Sequence, residues 1–188
     1  MTQQSIFESE GRSVPYIEEG EGPVTLTLLT TRDLDADGLG VVAHYLAEEA
    51  GFRIVRVSVP ATDAEAAPSA IDDVLALLDH LGLEDTWIGG HAAGGTAARA
   101  FAAAHTDRVN GLLLLGAEDD DAPLAPAIPV LIVQGAQDVV TPPSNGERLQ
   151  ATAPERASVK NLEGADHFFP VTHPIDTAVI IEEYLDWD

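Results

Sequence analysis

The stretch Trp87-Ile88-Gly89-Gly90-His91-Ala92-Ala93-Gly94-Gly95-Thr96 places four glycines around one turn. An apolar run leads in and a small-residue stretch leads out, the pattern of a strand-to-helix junction. Gly90-x-Ala92-x-Gly94 has the spacing of a nucleophile elbow, where flanking glycines let the backbone bend so sharply that the central side chain stands up from the sheet edge. A serine at that position would attack an acyl carbon; Ala92 has no oxygen to attack with. Taken alone, the same glycines also suit a close-packed strand–helix turn or an anion-binding turn at a helix N-terminus.

Gly90-His91-Ala92-Ala93-Gly94-Gly95 resembles the Gly-His-Ser-x-Gly-Gly elbow of the α/β-hydrolase family. Two downstream segments are similar to that family as well. Pro129-Val130-Leu131-Ile132-Val133-Gln134-Gly135-Ala136-Gln137-Asp138, followed by Thr141-Pro142, looks like its strand ending in Gly-x-x-Asp. Leu162-Glu163-Gly164-Ala165-Asp166-His167-Phe168 looks like the loop that carries its histidine. The order Ala92, Asp138, His167 then matches nucleophile, acid and base, and the likeness runs from about Val14 to Tyr184.

The resemblance implies that Asp138 orients the imidazole of His167 and that two backbone N–H groups hold an oxyanion. One would be Ala93, directly after the nucleophile position. The other would come from the loop after the first long strand, where the family's His-Gly pair is replaced by Thr30-Thr31, leaving Thr31 or Arg32 as donor; Thr31 is taken. His91, Thr30 and Arg32 are candidate substrate-binding residues. Without the resemblance, Asp138 reads as a turn or helix-capping aspartate and His167 as a loop histidine bonded to backbone.

Three readings of the alanine stay open. Ala92 is an introduced change in an esterase-like serine hydrolase acting on a small acyl substrate, which would leave it inactive as written. Or the chain is a natural non-catalytic member, a ligand-binding or regulatory module. Or the Asp138–His167 dyad acts as a general base on water or on a substrate proton, in direct hydrolysis or a lyase reaction. Thr96, one turn beyond the elbow, is expected to face the packed interior, and neither Ser58 nor Ser144 is placed to substitute as nucleophile.

These residues need a scaffold, and short β-branched runs alternating with amphipathic stretches predict a mostly parallel sheet with helices on both faces. A hairpin from residues 5–8 and 14–18, linked by Gly11-Arg12, opens it. Strands follow at 24–29, 52–59 (ended by Pro60), 86–89, 109–115, 130–134 and about 158–162. Helices are expected at 39–50, from Ile71 to Leu81, at 94–105 and at about 175–185, with 61–68 a loop rich in Ala, Asp and Pro. The acidic connection from Gly116 to Pro129 is too short for a helical lid, so the site should be open to solvent, and Glu118, Asp119, Asp120 and Asp121 read as a solvated loop.

The 188 residues, 45% of them hydrophobic, fit a single domain with one sizeable core. With no cysteine, disulfides and thiolate chemistry are excluded. His44, His80, His105 and His173 stand singly, so no metal site is indicated, and no cofactor motif is present. No membrane span or signal peptide is expected, which suits a cytoplasmic protein, and Trp187 is left to pack on the body or on a partner. The formal charge of −23, from 32 acidic residues against nine basic ones, repels nucleic acid and anionic membranes, leaving a small-molecule substrate or ligand as the expected partner. That charge suits either an acidic protein from a high-GC genome or adaptation to high salt, in which case stability should rise steeply toward molar salt.

Overall fold

The chain, described here over residues 3–59 and 67–186 of a computed structural model, opens with an antiparallel hairpin. Its strands β1 (Gln4–Ser9) and β2 (Arg12–Glu19) pair through Phe7 and Val14, and the turn is made by Glu10 and Gly11, both at positive φ. Six strands follow: β3 (Thr25–Thr30), β4 (Arg53–Ser58), β5 (Thr86–His91), β6 (Val109–Leu115), β7 (Val130–Gly135) and β8 (Ala157–Leu162). They run parallel to one another, while β2 joins β4 antiparallel. The sheet order is β1-β2-β4-β3-β5-β6-β7-β8. This is the mostly parallel α/β architecture expected from the sequence.

The helices are α1 (Gly40–Glu48), α2 (Ala67–His80), α3 (Ala93–Ala104), α4 (Pro143–Thr152), the short α5 (Phe169–Thr172) and α6 (Pro174–Leu185). They divide the core into two layers, one on each face of the sheet. Val74, Leu77, Phe101 and Leu149 pack on one side, and Leu46, Phe52, Phe169 and Ile181 on the other. The leucine run of β6 serves both: Leu112 and Leu114 join the first layer, Leu113 and Leu115 the second. Period-two alternation explains why a strand buried on both faces is apolar throughout.

From β3 the chain steps outward to β4, then crosses back over β3 to start β5. The loops leaving β3 and β5 therefore diverge, opening a crevice at the carboxyl ends of these two strands, where ligands bind in open α/β sheets. The Gly116-to-Pro129 connection carries no helix, in keeping with the missing lid.

Two readings need correction. Pro68, expected in a loop, is the second residue of α2, a position where its missing N–H removes no helical hydrogen bond. The small α5 helix was not foreseen, because four residues are too few to show a period. The loop expected at 61–66, the strand end at Pro60 and the packing of Trp187 lie outside the described residues.

Candidate active site

The turn between β5 and α3 is built by close approach. A Cβ on Gly90 would lie 2.4 Å from the Gly94 carbonyl carbon, and one on Gly94 would lie 2.1 Å from the Leu29 carbonyl oxygen, distances no side chain tolerates. Neither glycine has positive φ. The residue that makes the bend is Ala92, at φ 51° and ψ −115°. The glycines permit the bend, as expected: a side chain on Gly90 would strike Gly94 across the turn and one on Gly94 would strike β3, while the strained dihedrals fall on the central residue. Such a conformation is uncommon outside glycine and costs on the order of 1–3 kcal/mol, so the surrounding packing must impose it.

Asp138 follows the end of β7, and His167 sits in the loop between β8 and α5. Their side chains meet, His167 Nδ1 lying 2.9 Å from Asp138 Oδ2. The Asp138 carboxylate is buried and fully bonded: Oδ1 accepts the N–H groups of Val140 and Thr141, both at 2.8 Å, and Oδ2 accepts the Thr141 hydroxyl at 2.7 Å. Burial alone would raise its pKa; the bonds from Thr141, His167 and Val140 outweigh that and hold it below the ordinary carboxylate value. Thr141 Oγ1 also lies 3.0 Å from His167 Nδ1, so this hydroxyl touches both members of the pair. The sequence marked Thr141 only as part of a motif. Its three-residue spacing from Asp138, which suits a turn, was the available signal.

His91 donates from Nε2 to the carbonyl of His167 at 2.8 Å. Burial pushes the His91 imidazole down to about 4, leaving it neutral. The His91 and His167 rings lie 4.6 Å apart.

A cavity of about 300 Å³ opens over these groups. Thr30, Thr31, Arg32, His91, Ala92, Ala93 and His167 all line it, so the sequence-predicted site residues converge, with Asp138 behind His167. Its mouth is not bare: Val140, Phe168 and Val171 form an apolar rim. Some lining groups are committed internally. Thr30 Oγ1 accepts the Arg32 N–H at 3.1 Å and His91 Nε2 is spent on His167, so these two expected substrate contacts act first on the protein itself. The same bond commits the Arg32 N–H internally, while Thr31 and Ala93, the first residue of α3, both line the cavity.

Thr96 does not face the packed interior. It is half-buried and donates at 2.6 Å to Glu118, which turns back from the acidic loop to line the cavity. Neither Ser58 nor Ser144 lines the cavity. Among the described residues no group of three or more His, Asp or Glu could hold a metal ion, and no helix is long and apolar enough to cross a membrane.

A bend held at Ala92, a histidine–carboxylate pair beside it and a switch-point crevice define the class. The alpha/beta hydrolase family model matches residues 26–169, and the chain belongs to that family. A curated relative, the putative carbamate hydrolase RutD of Caulobacter sp. (strain K31), is 32% identical over 110 residues, covering 53% of this chain. The match spans 41% of that relative's length. Similar solved structures include an alpha/beta hydrolase from the metagenome of sediments of the Mar Chica lagoon, Morocco (TM-score 0.81, 18% identity, covering 97% of this chain and 98% of that one). A thermophilic esterase from Thermogutta terrifontis superposes with TM-score 0.78 at 18% identity, covering 98% of each chain. An epoxide hydrolase from Vigna radiata does so with 0.80 at 14%, again covering 98% of each. At these identities the likeness is one of fold, and a fold shared by such different reactions leaves the chemistry to the site.

Proposed function

We propose that this chain is an esterase-like acyl-hydrolase scaffold for a small acyl substrate, silent in covalent catalysis because residue 92 is alanine. The observation that carries this reading is the His167–Asp138 bond of 2.9 Å in a cavity that Ala92 also lines, with Ala92 held in a strained turn. In a serine version, His167 takes the hydroxyl proton as the oxygen attacks the acyl carbon. Asp138, kept ionised by its hydrogen bonds, steadies the imidazolium that forms. The developing oxyanion falls to the N–H groups of Ala93 and Thr31. His167 then returns the proton to the leaving group, and water repeats the cycle. The relative named as a putative carbamate hydrolase fits an acyl group of modest size.

A second reading is favoured by the completeness of the dyad. Asp138 and His167 are fully assembled although residue 92 carries no hydroxyl, an arrangement that serves general-base attack by water. Ala92→Ser separates the two on short-chain p-nitrophenyl esters. A gain of several decades, on the order of what a nucleophile contributes, supports the serine-hydrolase scaffold. A silent Ala92→Ser variant overturns it and points to a binding module. Turnover by the present chain that His167→Ala abolishes points to the general-base reading.

A further inference from the structure

The cavity holds three charged side chains besides the dyad, and their surroundings are unequal. Asp37 is buried and ion-paired with Arg56 at 3.0 Å. Glu118 is bonded by Thr96 and lies in the field of the buried Arg99. Arg32 has no such counterpart among the described residues. Of the eight arginines, it alone has neither an ion pair nor a side-chain hydrogen bond among the described residues, in a chain where acidic side chains outnumber basic ones 32 to nine.

Its backbone, by contrast, is held at both ends. The N–H donates to Thr30 Oγ1 at 3.1 Å, and the carbonyl accepts the Ser58 hydroxyl at 2.8 Å. A fixed main chain therefore carries an exposed guanidinium, unpaired among the described residues, at the rim of the cavity that Ala92 and His167 line. The charge reaches that site, since Arg32 is among the groups that disfavour protonation of His91. Guanidinium is a fork of N–H donors matched to the two oxygens of a carboxylate.

We infer that Arg32 recognises a carboxylate on the substrate, so that the site takes a small acyl compound carrying a negative charge a few bonds from the reacting carbonyl. This rests on the acyl-hydrolase reading for the reacting group, whereas the anion preference can be read from binding alone. Glu118 does not reverse it, because Thr96 and Arg99 already answer its charge.

The test uses the chain as it stands, with Ala92, which binds without turning over an ester in the proposed reading. Calorimetric titration compares monomethyl succinate, which carries one carboxylate, with neutral dimethyl succinate. The expected result is on the order of tenfold tighter binding of the monoester, shrinking toward molar salt and lost in Arg32→Gln. Equal affinities, a preference that survives Arg32→Gln, or no binding of the monoester would overturn the inference. The outcome is separable from the esterase assay. A silent Ala92→Ser variant with the anion preference intact defeats the acyl-hydrolase reading alone, and an active one without the preference defeats the role of Arg32 alone.

Discussion

The ring N–H of His91 is bonded to the backbone carbonyl of His167 at 2.8 Å, so the elbow turn physically holds the loop that delivers the second histidine. His91 immediately precedes Ala92, and the two halves of the site are thereby tied across 76 residues of chain.

The burial of His91, which outweighs that bond, should appear in the pH dependence of stability. Burial lowers the His91 pKa from 6.5 to about 4, so between these values the unfolded chain binds a proton that the folded chain does not. Stability is full above the unfolded value and is lost as pH falls toward the folded one, reaching a loss of about 3 kcal/mol. His91→Gln keeps a donor for the His167 carbonyl and removes the titration. Urea unfolding at neutral pH and near the lower limit should show a larger acid loss in the parent than in the variant. Equal losses would show that His91 is not held neutral.

Thr141 makes a different prediction. Its hydroxyl donates to Asp138 and touches His167, so Thr141→Val keeps the shape but leaves Oδ2 of Asp138 with one donor fewer. A buried hydrogen bond to a charged group contributes about 1.5–3 kcal/mol, and the variant should lose stability of that order. The Asp138 pKa should rise. Because it lies below its unfolded value in the parent, the stability it contributes is present above that value and lost as pH falls through the folded one, and in the variant this acid loss begins at higher pH. NMR titration of the carboxyl carbon reads the shift directly. In an Ala92→Ser background, kcat/KM should fall about tenfold, an effect of roughly 1.4 kcal/mol on the transition state. An unmoved Asp138 titration would remove Thr141 from the site.

Much of this was legible in the sequence, and for a common reason. The elbow, the Gly135-x-x-Asp138 strand end and the His167 loop are local patterns, each fixed by a turn that tolerates few residues. The alternation of apolar runs reported the sheet because strands buried on both faces cannot hide their composition. Illegible were relationships made only by folding: Thr141 bridging the dyad, His91 bonded to the His167 carbonyl, Glu118 folding back onto Thr96. Gly90 and Gly94 were legible as positions that must lack a side chain, but the approach of β3 to Gly94 was not. Spacing reveals that a side chain is excluded, but not whether a dihedral or a neighbouring strand excludes it.

The wall of the cavity rests on one more such relationship. Arg56, in the middle of β4, is buried and donates to both carboxylate oxygens of Asp37 at 3.0 Å and to the Leu34 carbonyl at 3.1 Å. Asp37 in turn accepts the Leu39 N–H at 2.9 Å, so the pair pins the segment from Leu34 to Leu39 that leads from Arg32 into α1. A buried ion pair gains little over an apolar pair of the same shape, yet breaking one partner strands the other's charge. Arg56→Met should therefore destabilise the fold by about 3–5 kcal/mol. Adding Asp37→Asn removes the nearer stranded charge and keeps a side-chain acceptor for the Leu39 N–H, so it should recover part of that loss, with the buried Glu19, 4.0 Å from Arg56, still uncompensated. Urea unfolding of the single and double variants measures the recovery. If the double variant is no more stable than Arg56→Met alone, the pair is not coupled, and the Leu34-to-Leu39 wall must be held by the packing of Leu34 and Leu39 instead.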